Sequence, residues 1–303
     1  MRRIASRARL LLAMAGVGFA AGGCNWSASH ASNADIVVVS STNVWGDIAA
    51  TVGGTHVQVT SFISSPAQDP HSFESNSRSV LAVAQADVVI ENGGGYDDFM
   101  GQLLDASKAS PTVLDAVAIS GVSAADGDTV NEHVWYDLPT VEKVSARIAA
   151  AFVKADPGHA GDYRNNVRVF TDSLDALIAR EATMRRSLAG VGVGVTEPVP
   201  LSMLEAIGAD NVTPEQFSAA VEEGNDVAVS VLNETLTLYS DHRVAALVYN
   251  EQTSGPVTEQ VKQAAVDAGI PVVPVTETLP DGVHYLTWMG ENLDALDKAL
   301  STP

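Results

Sequence analysis

The sequence has only one cysteine, Cys24, so no disulfide can form within the chain. Basic residues are also scarce: 17 lysines and arginines stand against 37 aspartates and glutamates, and the formal net charge is −20. This balance argues against a nucleic-acid partner, because phosphates need basic side chains. It is compatible with a cationic ligand, although an acidic surface also serves solubility alone.

Several enzyme motifs are absent as well. The sequence contains no His-Glu-x-x-His pattern, no nucleophile elbow and no P-loop. Three consecutive glycines, Gly93 to Gly95, lack the GxGxxG spacing of dinucleotide-binding loops and are better interpreted as a turn after a strand. The sequence therefore predicts a protein that is not an enzyme.

Residues 1–23 have the layout of an export signal. Four arginines precede an apolar run over 10–21, which is too short to cross a membrane comfortably. Cys24 follows two glycines and resembles the cysteine of a bacterial lipobox, except that Ala21 stands where leucine is usual. We therefore predict a lipoprotein signal peptide over 1–23, lipidation of Cys24 and a flexible tether over 24–34. An ordinary signal peptide with a chance cysteine is the alternative.

The mature chain is long enough for two ordinary domains. Removing residues 1–23 leaves 280 of the 303 residues, and it changes the net charge from −20 to −24 because four arginines and no acid are lost. Such a negative charge disfavours binding to an anionic membrane except through the lipid anchor.

Predicted strands and helices alternate in two stretches of the chain. β-branched runs such as 36–39 predict strands buried on both faces, and the helical spacing of apolar residues between such runs predicts helices. This order implies parallel sheets. Residues 159–188 instead form one long, proline-free, helix-favouring stretch. The predicted fold class is α/β: two parallel-sheet lobes, over 35–158 and 189–303, joined by a single long helix over 159–188.

More local predictions follow from the same patterns. Further strands are expected over 57–62, 87–91, 191–196, 245–249 and 271–275. Further helices are expected over 43–52, 79–86, 140–153, 202–207, 257–268 and 285–300. Thr213 is predicted to cap another helix, with Pro214 in its first position.

Four candidate metal ligands follow predicted strands or precede predicted helices: His71, His133, Glu197 and Glu277. Ligands of open α/β sheets bind beyond the carboxyl ends of the strands. Two imidazoles and two carboxylates suit a borderline divalent cation. Because the first pair belongs to one lobe and the second pair to the other, the metal would lie in the cleft between the lobes. Five other histidines have no obvious partners or lie in the tether: His30, His56, His159, His242 and His284.

Short motifs around these residues resemble those of one family. Residues 69–74 (DPHSFE) look like the DPHxxE motif of the metal-binding ABC solute-binding proteins known as the cluster 9 or zinc-uptake, TroA-like family. Residues 86–93 (ADVVIENG) are similar to a strand motif of that family, and 133–135 (HVW) to its HxW motif. Thr196-Glu197 and Thr276-Glu277 match its third and fourth ligand positions. The agreement runs in order over 36–300.

The resemblance implies a function and a ligand set. The implied function is capture of one divalent transition metal and its delivery to an ABC permease and its ATPase, by a monomer held at the outer face of the membrane through its lipid. The implied ligands are His71, His133, Glu197 and Glu277, although the fourth position is commonly aspartate, which leaves the denticity of Glu277 open. Glu205 is a fallback for the third ligand, and Glu74 is expected to support its loop.

The metal and two rival functions stay open. Residues 123–131 contain no histidine, so the metal-collecting loop of many zinc members is absent, and glutamate as third ligand is typical of manganese members. The intrinsic affinity order nevertheless places zinc above manganese. Both ions therefore remain candidates for the cargo, and iron(II) is less favoured than either. The rivals are a surface lipoprotein acting in adhesion or assembly, and a metallohydrolase, which would need an open coordination position for water.

Overall fold

The structure is a computed structural model, and it describes residues 36–65, 73, 75–122 and 130–301. The predicted signal peptide, the tether with Cys24, and the side chains of His71 and Glu74 lie outside these residues. Within the described ranges, no helix is long and apolar enough to cross a membrane.

The N-terminal lobe contains a four-stranded parallel sheet in the order β2-β1-β3-β4. Its strands are β1 (Ile36–Thr42), β2 (Val57–Ile63), β3 (Val88–Glu91) and β4 (Thr112–Asp115). All of β1 except Val37 is buried, as expected for a central strand covered on both faces. Its helices are α1 (Asn43–Gly53), α2 (Ser77–Ala84), α3 (Phe99–Ser107), α4 (Ala116–Ser120) and α5 (Leu138–Ala155).

One helix, α6 (Ala160–Leu188), follows α5 and leads into the second lobe. Its 29 residues span about 43 Å at 1.5 Å per residue. Phe170 and Leu174, one turn apart, are buried on the face that packs against the rest of the protein. Burial of a side chain of this size contributes about 2 kcal/mol, so this apolar stripe holds the helix in place.

The C-terminal lobe repeats the sheet order of the first, as β6-β5-β7-β8, again with parallel strands. Its strands are β5 (Gly192–Val195), β6 (Asp210–Asn211), β7 (Leu247–Asn250) and β8 (Val272–Val275). Its helices are α7 (Leu201–Ala206), α8 (Glu215–Glu222), α9 (Val229–Ser240), α10 (Pro256–Asp267) and α11 (Tyr285–Leu300). The predicted α/β fold class, with two parallel-sheet lobes and a long connecting helix, is confirmed.

Some local predictions were wrong. Thr213 does not cap α8: its hydroxyl accepts a hydrogen bond from the Val195 backbone N–H at 2.8 Å, and Pro214 occupies the cap position. Pairing with a neighbouring strand therefore outweighed the local capping pattern. The sequence also did not predict β4, α3 or α9, since their apolar positions are too few or too irregular to stand out.

The two lobes share a buried core and several direct hydrogen bonds. The Tyr285 hydroxyl donates to the Trp135 carbonyl at 2.6 Å, and the Tyr136 hydroxyl donates to the Thr276 carbonyl at 2.8 Å. The Asn43 side-chain amide makes a reciprocal pair with the Leu279 backbone, with both distances 3.0 Å. Because one apolar cluster continues through both lobes, separating them would expose core residues of each.

Candidate metal centre

Three of the four predicted ligands lie in the described residues, and all three are buried. Glu197 follows β5 by two residues, and Glu277 follows β8 by two residues. His133 directly precedes a short 3-10 turn at Val134–Tyr136. The exposed fractions are 0% for His133, 2% for Glu197 and 4% for Glu277. His71 lies outside the described residues, and the fallback ligand Glu205 is exposed to solvent on α7.

Asn250, the last residue of β7, joins the two glutamates. Its side-chain amide donates one hydrogen bond to Glu277 Oε1 at 2.8 Å and another to Glu197 Oε2. The Thr253 hydroxyl donates to the same oxygen of Glu197. The other oxygen, Glu197 Oε1, is buried without a hydrogen-bond partner among the described residues. One side chain thus holds both carboxylates at the carboxyl edge of the sheet.

The second oxygen of Glu277 is held from the other lobe. The Tyr96 hydroxyl donates to Glu277 Oε2 at 3.0 Å, and Tyr96 is fully buried. Burial raises the pKa of Tyr96 well above its ordinary value, and the nearby Glu277 raises it further, so the hydroxyl stays protonated and acts as a donor. Neutral hydrogen-bond donors, the Asn250 amide and the Tyr96 hydroxyl, therefore position both oxygens of Glu277.

The His133 ring is oriented by Asn131. His133 Nδ1 lies 2.8 Å from Asn131 Oδ1, and the His133 backbone N–H donates to the same oxygen at 3.1 Å. The Asn131 amide nitrogen donates to the Pro198 carbonyl at 3.1 Å, which fixes the orientation of the amide. His133 Nδ1 therefore carries a proton that it donates to Asn131 Oδ1. Tyr96 and Trp135 pack edge-on against the ring, with centroids 5.9 and 5.1 Å away.

A third glutamate faces this ring. Glu222, the last residue of α8, has its Oε1 3.4 Å from His133 Nε2, and 13% of its side chain is exposed. Its sequence context does not mark it as a ligand, because it belongs to an ordinary Glu-Glu pair at a helix end. Asn250 was also missed, although a signal existed: it directly follows a predicted strand, as Glu197 does, and Glu277 lies only one residue further from its own predicted strand.

The carboxylates repel one another in a poorly solvated site. The pKa of Glu197 is raised to about 8: burial is the largest cause and the charges of Glu222 and Glu277 add to it, while hydrogen bonds from Thr253 and Asn250 oppose the shift. Buried carboxylates are costly unless positive charge compensates them. Imidazole nitrogen and carboxylate oxygen are ligands that zinc and manganese accept. Within the described residues, however, no three His, Cys, Asp or Glu side chains lie close enough together to hold an ion.

Other histidines that the sequence left without partners pair with aspartates away from this cluster. His56 Nε2 lies 3.1 Å from Asp162, and His159 Nδ1 lies 2.6 Å from Asp156. His284 Nδ1 lies 2.6 Å from Asp47 of α1. The expectation that these three histidines have no obvious partners was therefore wrong. The partners of His56 and His284 are distant in sequence, whereas Asp156 lies only three residues before His159 in the turn that precedes α6.

Comparison with known proteins supports the resemblance noted in the motifs. Residues 38–299 match the family described as zinc-uptake complex component A, periplasmic. The chain belongs to this family. The family consists of substrate-binding proteins and not of enzymes. The resemblance predicted from the motifs is thereby confirmed at the level of the family.

Individual relatives agree with this assignment. The chain is 31% identical to the manganese-binding lipoprotein MntA of Bacillus subtilis, over 56% of this chain and 57% of that protein. It is 27% identical to the manganese ABC transporter substrate-binding lipoprotein PsaA of Streptococcus pneumoniae, over 89% of this chain and 91% of PsaA. The chain spans 46% to 60% of the length of several curated relatives that it matches.

A solved structure shows the same fold. The periplasmic zinc-binding protein TroA of Treponema pallidum superposes with a TM-score of 0.73, at 18% identity, over 88% of this chain and 99% of TroA. At this identity the likeness establishes the architecture: two α/β lobes and the long helix between them.

Proposed function

We propose that this protein captures a divalent transition metal in the cleft between its lobes and delivers it to the permease of an ABC importer. The observation that carries the proposal is the buried pair Glu197 and Glu277, held by one amide beside the fully buried ring of His133. A cation would offset charges that this site otherwise keeps at a cost. Membership of the zinc-uptake family supports the same function.

The proposed ligands are His71, His133, Glu197 and Glu277. His133 would bind through Nε2, since Asn131 accepts the proton of Nδ1. The glutamates would bind through oxygens that now face Asn250, Tyr96 or no described partner, so each carboxylate would have to turn toward the ion. The shared core of the lobes favours such side-chain movements over a wide opening of the cleft.

The proposed cargo is zinc or manganese. MntA and PsaA are named for manganese and TroA for zinc. The carboxylates make this site harder, which favours manganese, whereas the intrinsic affinity order favours zinc. Direct competition between the two ions is therefore the measurement that decides.

The proposed location is outside the cytoplasm, at the membrane, with the lipid on Cys24 as the only anchor. The export signal and the lipobox-like cysteine support this, as do the lipoprotein names of MntA and PsaA. The partners would be a permease and its ATPase, and the protein itself would act as a monomer.

Calorimetry on the soluble mature chain, from Asn25 onward, tests the proposal. We expect one ion bound per molecule, with affinity at least about 100-fold weaker in the His71→Ala, His133→Ala and Glu277→Ala variants, because even residues that only support metal ligands are worth about 10- to 100-fold. The exposed Glu205→Ala variant is the matched control and should bind like the unaltered chain. Tight binding that survives all three ligand changes would overturn the ligand set. No binding of either ion would overturn metal capture and favour adhesion or assembly.

A further inference from the structure

The two glutamates of the candidate site belong to the C-terminal lobe, yet they are held from different sides of the cleft. Glu197 accepts hydrogen bonds from Asn250 and Thr253, which belong to its own lobe. Glu277 also accepts from Asn250, but its other oxygen accepts from the Tyr96 hydroxyl of the N-terminal lobe at 3.0 Å. The N-terminal lobe therefore takes part in orienting Glu277.

The backbone on both sides of Glu277 is bound to the N-terminal lobe as well. Directly before it, the Thr276 carbonyl accepts from the Tyr136 hydroxyl at 2.8 Å. Two residues after it, the Leu279 backbone N–H donates to Asn43 Oδ1, and the Leu279 carbonyl accepts from Asn43 Nδ2, both at 3.0 Å. Leu279 is also buried. The segment that carries Glu277 is thus anchored to the opposite lobe before and after the ligand.

Asn43 is placed for this contact by the elements around it. It is the first residue of α1 and directly follows β1, a central strand of its sheet, so it lies at the carboxyl edge of the N-terminal sheet. Asp47, one turn further along α1, accepts from the Tyr285 backbone N–H at 2.8 Å. The start of α1 therefore holds both ends of 279–285, the segment that leads from Glu277 into α11.

We propose that Asn43 is a positioning residue for Glu277, which acts across the cleft through its two hydrogen bonds to Leu279 and thereby slows release of the bound metal. This inference rests on the proposed function. A carboxylate on an anchored backbone loses little freedom when it binds an ion, so it binds more strongly than a carboxylate on a free loop. The same anchor opposes the displacement of Glu277 that has to precede departure of the ion.

The test is titration with zinc and with manganese, and chelator-driven release of each ion, on the mature chain and its Asn43→Ala variant. We expect the affinity to fall and the release rate to rise about 10-fold, the lower end of what residues that support metal ligands contribute. Asn43→Asp keeps the acceptor for the Leu279 N–H and loses the donor to its carbonyl, so both values should lie between those of the unaltered chain and Asn43→Ala.

Asn166→Ala is the matched control for Asn43→Ala. Asn166 of α6 is half-buried, as Asn43 is, and donates to the Val52 carbonyl near the other end of α1 at 3.1 Å. Its removal takes a hydrogen bond of the same kind from the same helix, so both metal measurements should stay unchanged. Circular dichroism checks the fold of every variant. Asn43→Asp carries the test if Asn43→Ala does not fold, since aspartate is favourable at a helix start.

A double-mutant cycle shows whether Asn43 acts through Glu277. Asn43→Ala should weaken binding by the same factor in a Glu197→Ala background as in the unaltered chain. In a Glu277→Ala background no carboxylate is left to position, so the further loss should be less than about 2-fold.

Two results would overturn the inference. One is that the Asn43 variants bind and release both ions as Asn166→Ala does. The other is an equal loss in the Glu197→Ala and Glu277→Ala backgrounds, which would mean that Asn43 only stabilises the contact between the lobes. Failure of the proposed function looks different, since the unaltered chain would then bind neither ion.

Discussion

The two lobes have the same sheet order and an asparagine at the same place, yet the two asparagines do different things. Asn92 follows the third strand of the N-terminal lobe, and Asn250 ends the third strand of the C-terminal lobe. Asn92 accepts from Trp45 Nε1 at 3.1 Å and donates to the Glu132 carbonyl at 2.9 Å. Asn250 donates to two carboxylates instead. The shared topology provides an edge for a site, and the side chains that follow each strand determine its chemistry.

The described part of the site is divided by charge between the lobes. The N-terminal lobe contributes the imidazole of His133 and the aromatic rings of Tyr96 and Trp135. The C-terminal lobe contributes Glu197, Glu222 and Glu277. An apolar wall strengthens electrostatic attraction to an ion, because the local dielectric constant is low, and the acidic wall supplies that attraction. The hydrogen bonds of Asn250 on the acidic side and of Asn131 on the side of His133 should therefore matter for different reasons.

The largest effect is expected when the side-chain amide on the acidic side, that of Asn250, is removed. Asn250→Ala takes a donor from each of two buried carboxylates, and we expect unfolding free energy to fall by about 2 to 4 kcal/mol. Metal affinity should fall about 10- to 100-fold, as for other residues that orient ligands. Chemical denaturation and calorimetry measure the two effects.

Asn225→Ala provides the matched control for Asn250→Ala. Asn225 also donates to a glutamate, Glu223, but both residues are exposed. A surface pair of this kind contributes little to stability. Both the unfolding free energy and the metal affinity of this variant should therefore stay within error of those of the unaltered chain. If Asn250→Ala behaves like this control, the shared amide does not organise the carboxylates.

A smaller effect is expected on the side of His133. Asn131→Ala removes the acceptor that fixes the His133 tautomer, and metal affinity should fall about 10-fold. Asn131→Asp keeps an acceptor for Nδ1 but loses the donor to the Pro198 carbonyl, so it should recover most of that loss. Calorimetry of both variants checks this order. Equal losses in the two would mean that the bond to Pro198, and not the orientation of the ring, is what counts.

A separate effect, on stability alone, concerns Glu181 on α6, outside both asparagine networks. Its pKa is raised from 4.5 to about 8, mainly by burial and to a smaller extent by the charge of Asp137. The folded state therefore holds this proton more tightly than the unfolded state. Its contribution to stability is fully present below about pH 4.5 and is lost as pH rises through about 8, at no more than about 1.4 kcal/mol per pH unit.

Glu181→Gln should remove that loss, so the variant gains stability relative to the unaltered chain as pH increases from 5 to 8. Urea denaturation at several pH values measures the difference. Asp175→Asn is an exposed change on the same helix. Its unfolding free energy should depend on pH in the same way as that of the unaltered chain. A Glu181→Gln curve that is equally parallel would show that this carboxyl is ionised in the folded protein.

Local patterns in the sequence were sufficient for most elements but not for all of them. The predicted helix over 285–300 agrees with α11, and the long proline-free stretch agrees with α6, because helical periodicity is strong in both. Thr213 shows where such reasoning fails. Its capping pattern is local, whereas its actual partner is Val195, 18 residues away on a neighbouring strand.

The sequence by itself predicted the class of the site: two histidines and two glutamates placed next to strands or helix starts, in motifs that resemble one family, although His71 lies outside the described residues. It could not reveal that Asn250 joins Glu197 and Glu277, which are separated by 80 positions along the chain, or that Glu222 faces His133 from the opposite lobe. Those contacts depend on the packing of helices and sheets around a shared core. Only the tertiary structure decides them, because the energies that set them act between residues that are distant in sequence.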